Sequence, residues 1–277
     1  MEHMLYGLML RSGNDAAVAI AEHVAGSVPE FAAMMNARAA ELGADAHYVN
    51  PHGLDAEGHQ ISALGLARVM RAALAHPEFR AITGTRRKII PWVGNEYSRV
   101  LENKNRLLKT YEGIIGGKTG FTPRAGRCLV FAAERDDLTL IGAVLNCPTW
   151  FDTATRLLDY GFESFRMERA CEKGDAIGVV RVENGLSDAV SALAGAPLAA
   201  AVAVGSPVEQ SVTLPERLQA PIRAGEALGT LTLKSGGIAI AQCPLVAAAS
   251  VERRSLGQSL RRLLVNWLLR LQASATL

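Results

Sequence analysis

The chain is 277 residues long and 49% hydrophobic, with a formal net charge of +2. That length holds two domains with a sizeable core, that hydrophobic share excludes a disordered chain, and the near-neutral charge excludes the strongly basic surface by which proteins hold nucleic acid. Four cysteines, Cys128, Cys147, Cys171 and Cys243, form no Cys-x-x-Cys pair and no zinc-type spacing with histidine, so they read as buried thiols, with a disulfide between two of them left open and no metal expected.

Residues 1–10 read as an amphipathic helix running into Arg11-Ser12-Gly13-Asn14. They carry neither the basic start nor the cleavage site of an export signal, and no capping residue precedes them. The expectation is an N-terminally incomplete chain that begins inside a core helix. No stretch reaches the length of about 18 uncharged apolar residues that a membrane-spanning helix needs.

An alanine-rich helix follows over 15–24 and stops at Gly26. Ser27 caps the next, with Glu30 three residues on; it runs through Phe31, Met34, Met35 and Leu42 to Gly43. Asn50-Pro51-His52-Gly53-Leu54-Asp55 is a turn-rich loop. Ser62 then caps a helix with Leu66, Val69, Met70 and Leu74 on one face. Glu22-His23 lacks the second histidine of a metalloprotease helix, and His47, His52 and His59 read as turn and surface histidines. Between 86 and 146 the pattern changes to strands, over 88–92, 128–133 and 138–145, with Arg135-Asp136-Asp137 as the tight turn joining the last two. Asp136-Asp137 therefore reads as a turn, not a catalytic pair. Trp92 and Trp150 are expected in the core. A helix over 149–165 closes a domain of helices on an antiparallel sheet, an α+β class, assigned to 1–167.

From about residue 168 valine, threonine, glycine and proline dominate, with period-two stretches. Residues 228–233, the turn Lys234-Ser235-Gly236-Gly237 and residues 238–242 make a hairpin signature, and 168–250 is assigned to a small β-sandwich domain. In 251–277, Leu256, Leu260, Leu263, Leu264, Trp267, Leu268 and Leu271 fall on one helical stripe opposite Arg261, Arg262, Asn266 and Arg270. That suits a helix lying in a membrane interface; packing on its own protein is the other reading.

Two short boxes carry chemistry. Lys118-Thr119-Gly120, in the run Gly116-Gly117-Lys118-Thr119-Gly120-Phe121-Thr122, combines a charge or proton carrier, a hydroxyl for a carboxylate, and a glycine that admits a substrate backbone to a strand edge. Ser12-Gly13-Asn14 taken alone is a helix-helix turn with a capping residue. Together with His52-Gly53-Leu54-Asp55, in this order and spacing, they resemble one family: the low-molecular-mass D-alanyl-D-alanine carboxypeptidases, penicillin-binding proteins of the type-5 kind. The resemblance covers nearly the whole chain, including a closing hairpin over 225–245 and the C-terminal amphipathic helix.

The resemblance implies a β-lactamase/transpeptidase-like domain, a small all-β domain and a membrane-surface helix, with no cofactor and no metal. It implies removal of the terminal D-alanine from peptidoglycan stem pentapeptides through an acyl-serine intermediate, on the periplasmic face of the cytoplasmic membrane. The implied partners are the stem peptide, β-lactams in the complete protein, and the membrane surface, with no nucleic acid. Ser12 would shuttle protons to or from the leaving group and Asn14 would hydrogen-bond the substrate's peptide group. Lys118 would supply electrostatics and Thr119 would bind the terminal carboxylate. Gly120 and Phe121 would hold the substrate as an extended strand, a backbone amide there forming half of an oxyanion hole.

The sequence departs from the family at three places. No serine has lysine three residues on, so the Ser-x-x-Lys nucleophile box is missing and the chain as it stands is expected to be inactive and not acylated by penicillin. Pro148-Thr149 stand where some members carry an arginine for the substrate carboxylate. The export signal is missing. The same substrate-side residues would also serve a non-catalytic cell-wall-peptide binding module, and a β-lactamase shares the Lys-Thr-Gly box.

Overall fold

The computed structural model describes residues 1–92, 94–258, 260 and 267. They divide into two units, Met1–Ser164 and the residues from Phe165 onward. The first begins with three helices, α1 (Glu2–Arg11), α2 (Asn14–Ala25) and α3 (Val28–Glu41). The Ser27 hydroxyl accepts from the Glu30 amide at 3.3 Å, satisfying one of the orphan donors of the first turn of α3. A long loop closed by the strand pair β1 (Ala46–His47) and β2 (Gln60–Ile61) leads to α4 (Ala63–Leu74), where Ser62 caps the Gly65 amide at 3.0 Å, and then to α5 (Pro77–Gly84).

The hairpin β3 (Arg87–Pro91) and β4 (Ser98–Glu102) and the short α6 (Leu107–Thr110) precede the sheet that carries the site. That sheet is the antiparallel meander β5 (Ile114–Thr122), β6 (Gly126–Arg135) and β7 (Leu138–Val144), in the order β5-β6-β7, and α7 (Trp150–Ser164) follows it. Asp136 and Asp137 have φ of 47° and 64°, the left-handed turn that matches strand twist. One core joins β6, β7 and α7 through Leu129, Phe131, Ala133, Val144, Ala154 and Leu158. Helix α7 comes close to β7 because it presents Gly161 there: a Cβ at that position would lie 2.5 Å from Leu140. A second cluster, Tyr6, Leu10, Ile82, Ile90 and Leu101, ties α1 to α5 and the β3–β4 hairpin.

The second unit is all-β: β8 (Phe165–Cys171), β9 (Ala176–Glu183), β10 (Ala189–Ala194), β11 (Leu198–Ala203), β12 (Val208–Thr213), β13 (Arg217–Gln219), β14 (Ala227–Ser235) and β15 (Ile238–Ala247). A six-stranded sheet, β12-β14-β15-β10-β9-β13, shares one core with the pair β11-β8, built on Val180, Leu198, Leu231, Leu233 and Leu245. The expected hairpin is β14–β15; Ser235 pairs with Ile238 across Gly236 and Gly237, at φ of 57° and 81°.

Three expectations are corrected. The residue pattern did not mark strand β5, because Gly116, Gly117 and Gly120 depress its strand propensity; only the resemblance implied a strand, at Gly120 and Phe121, and the structure extends it over Ile114–Thr122. Trp92 is 47% exposed, beyond the last ladder pair of β3–β4, with Arg99 over its ring at 4.8 Å. All four cysteines are free thiols; Cys171 and Cys243 are buried with their sulfurs 4.0 Å apart, whereas Cys128 and Cys147 are half-buried. The amphipathic helix expected over 255–272 lies for the most part outside the described residues.

Candidate active site

Ser12 closes α1. Its amide donates to Leu8 O at 3.0 Å and the Gly13 amide to Gly7 O at 3.2 Å, a helix ending that leaves Ser12 left-handed at φ 58°, ψ 49°. Glycine usually takes that position, since a side chain there costs about 1 kcal/mol. No side-chain cap forms at this turn. The hydroxyl points instead to the sheet, where Lys118 Nζ donates to Ser12 Oγ at 2.5 Å. The two residues are 106 positions apart in sequence.

Lys118 lies on β5, one of the two edge strands of its sheet among the described residues. Nζ also donates to Thr119 O at 2.6 Å. Burial, and then the charge of Lys104, push its pKa down to about 8. An ammonium so poised holds its proton far less tightly than an ordinary lysine, which suits proton transfer to and from the neighbouring hydroxyl.

Thr119 is 6% exposed yet borders the cleft, Gly120 has open space where a Cβ would stand, and Phe121 is 65% exposed. The backbone of β5 is thus open to a ligand along its free edge. Asn14, at the first position of α2, is exposed on the same cleft, and its side chain makes no hydrogen bond with the described residues. The structure brings Ser12, Asn14, Lys118, Thr119, Gly120 and Phe121 around a single cleft of about 700 Å³.

The opposite wall is the loop over 50–54. Asn50 folds it, accepting from the Gly53 amide at 2.7 Å and donating to Leu54 O at 3.0 Å. Asp55 then fastens it to the end of β5: the Thr122 hydroxyl donates to Asp55 Oδ1 at 2.8 Å and accepts from the Ala125 amide at 2.9 Å. The nearby histidines serve the backbone. His59 Nδ1 accepts from the Val49 amide at 3.0 Å and His52 Nδ1 from the Leu54 amide at 3.2 Å, while burial holds the His59 pKa below its usual range. Among the described residues no group of histidines, cysteines and carboxylates is placed to hold a metal.

Residues 1–149 match the family model of D-alanyl-D-alanine carboxypeptidases, peptidase family S11. The chain belongs to that family. Residues 165–253 match the C-terminal domain of penicillin-binding protein 5. The D-alanyl-D-alanine carboxypeptidase DacF of Bacillus subtilis is 30% identical over 274 residues, across 96% of this chain and 70% of its own length. DacC of Escherichia coli is 34% identical over 256 residues, across 89% of this chain and 62% of its own length. The solved structure of penicillin binding protein 5 from Haemophilus influenzae gives a TM-score of 0.73 at 29% identity, covering 91% of this chain and 74% of that one. The chain thus spans 62–70% of these two curated relatives. The fold is the β-lactamase/transpeptidase-like α+β fold followed by an all-β domain, as the resemblance implied.

Set within this family of carboxypeptidases, the site holds groups that the motifs did not name. Lys104 borders the cleft and acts on Lys118 by charge alone. Trp150, expected in the core, packs on it only in part and also lines the cleft mouth. Asp55 lay within a recognised motif, but nothing in the spacing linked it to Thr122. These are tertiary pairings between residues far apart in sequence, and no local pattern announces them.

Proposed function

We propose that this chain carries the proton-transfer and carboxylate-binding parts of a serine-type D-Ala-D-Ala carboxypeptidase acting on peptidoglycan stem peptides. The observation that carries the reading is the Lys118 Nζ–Ser12 Oγ hydrogen bond of 2.5 Å beside the free edge of β5. The stem peptide would lie along that edge, with its terminal carboxylate at Thr119 and its peptide group within reach of the Asn14 amide. A serine hydroxyl attacks the carbonyl of the penultimate D-alanine, the C–N bond breaks, and the departing amine of the terminal D-alanine takes a proton through Ser12 and Lys118. Water then attacks the acyl-serine and releases the shortened peptide. The attacking serine would come from a Ser-x-x-Lys box, which these 277 residues do not contain. Ser12 does not replace it, because it is already tied to Lys118 and attack demands close, aligned approach. We place the whole protein on the periplasmic face of the cytoplasmic membrane, held by the Leu/Trp stripe over 256–271.

Labelling with a fluorescent penicillin, followed by denaturing electrophoresis, tests this. The 277-residue chain should stay unlabelled and release no D-alanine from a stem pentapeptide. A chain extended by its own upstream reading frame, where that frame encodes Ser-x-x-Lys, should label and release it. A stable adduct on the 277-residue chain would overturn the assignment of the nucleophile. A frame with no such box, and peptide binding without turnover, would make the protein a cell-wall-peptide binding module.

A further inference from the structure

Cys171 ends β8 and Cys243 lies within β15. They are 72 positions apart, yet their sulfurs stand 4.0 Å from each other in the core of the second unit, and both residues are buried. The strands that carry them belong to different layers. Among the described residues β8 pairs only with β11, where Cys171 faces Leu198. Strand β15 is an inner strand of the six-stranded sheet, where Cys243 faces Leu231. No described ladder joins the two layers, so apolar packing holds β8 to the larger sheet.

A buried thiol packs as a small apolar group, and a single one in this core would need no other account. Two thiols that meet across layers have a chemistry that one lacks. The gap from 4.0 Å to the roughly 2.0 Å of a disulfide is within reach of side-chain rotation. Two thiols are too few for a structural zinc, which takes four ligands, and no third histidine, cysteine or carboxylate among the described residues completes such a group. Cys128 and Cys147 belong to the first unit and take no part in this core.

We propose that Cys171 and Cys243 are a modification site, a dithiol that an oxidising disulfide converts into a cross-link bracing the two layers of the second unit. The thiolate of one cysteine attacks the oxidant's disulfide, forming a mixed disulfide and releasing one thiol. The other cysteine attacks the protein sulfur of that intermediate, forming the Cys171–Cys243 bond and releasing the second thiol. The two protein thiols are oxidised, the oxidant's disulfide is reduced, and the two protons pass to the released thiols. The bond would enclose β9 to β14 in one covalent loop and fasten β8, the strand that opens the second unit, to the larger sheet. A loop of that length restricts the unfolded chain more than the folded one. Burial, and then the neighbouring Cys243, push the Cys171 pKa up, so the closed fold shields the pair and exchange proceeds as the unit opens or folds. The proposal goes beyond the carboxypeptidase reading and stands on the second unit alone; the exported position proposed above is one where such bonds persist.

The test uses the 277-residue chain, refolded from urea in a mixture of oxidised and reduced glutathione, so that burial is no barrier to reaction. Remaining thiols are blocked with iodoacetamide in denaturant, and a tryptic digest is weighed without reduction. The expected species joins residues 170–173 to residues 235–253, which carry Cys171 and Cys243. Freed of glutathione, the linked chain should lose its second unit at a temperature about 10 °C above that of the same chain with its thiols reduced. Cys243→Ala should give no linked peptide and should melt alike in both states. Cysteines recovered singly, whether blocked or carrying glutathione, would overturn the proposal, as would bonds to Cys128 or Cys147. A linked pair that melts no higher than the reduced chain would overturn the brace.

Discussion

Ser12 combines a backbone shape suited to glycine with a hydroxyl the site needs, and substitution separates the two. Ser12→Gly and Ser12→Ala both lose the contact with Lys118, but only alanine keeps a Cβ at φ 58°. The alanine variant should therefore unfold at lower urea than the glycine variant, by about 1 kcal/mol. Equal stabilities would show that the turn carries no strain. Lys118 makes a second case. Its pKa falls from 10.5 to about 8 on folding, so between those values the unfolded chain binds more protons than the folded one, and stability rises with pH across that window. Below about pH 8 the burial of the charge opposes folding in full. Lys118→Met removes that charge. Its melting temperature should exceed the parent's at pH 7, and the gap should narrow as pH rises from about 8 to about 10.5. A gap independent of pH would mean that Lys118 is not titrating in the fold as its burial requires.

At the scale of elements, the link that most directly shapes the cleft is Asp55 to Thr122, loop to strand. Thr122 is buried, and its oxygen also receives the Ala125 amide, so the latch holds the turn after β5 as well as the loop wall. In urea unfolding, Asp55→Ala and Thr122→Val should each cost about 1–2 kcal/mol, and the double variant should cost less than the sum, because both remove one interaction. Strict additivity would show that the hydrogen bond carries no energy. Elements were legible in the sequence where a local device announces them: the Ser27–Glu30 and Ser62 caps, the Gly26 stop, the Asp136-Asp137 and Gly236-Gly237 turns. They were not where the device is tertiary. Two of the three glycines that make β5 a poor strand in isolation are needed for it to pack: a Cβ at Gly116 would stand 2.3 Å from Thr83 Oγ1, and one at Gly117 2.6 Å from Val130 O, while Gly120 faces open space. The site was legible as two boxes and their family order, yet the pairing of Ser12 with Lys118, the charge of Lys104 and the latch at Asp55 arise only when distant elements meet.

For the molecule as a whole, the pairing pattern separates two folding units. Every described strand pair lies within Met1–Ser164 or within the residues from Phe165 onward, and the core of the second unit draws only on residues between Ala170 and Val251. Its described strands pair only with one another, and the outer bridges Gly185–Arg253 and Ile222–Val251 add to those ladders near its C-terminal end. A domain of this length buries enough apolar surface to be marginally stable alone. A fragment covering residues 165–258 should therefore unfold in one cooperative thermal transition and give a dispersed amide NMR spectrum. Reduced and alkylated Cys171 and Cys243 would not serve as the starting material, because both thiols lie in the core. The fragment should be studied with its thiols free. A fragment that collapses without a cooperative transition would show that this core depends on residues of the first unit, and the division between Ser164 and Phe165 would then mark a change of secondary structure rather than a boundary of folding.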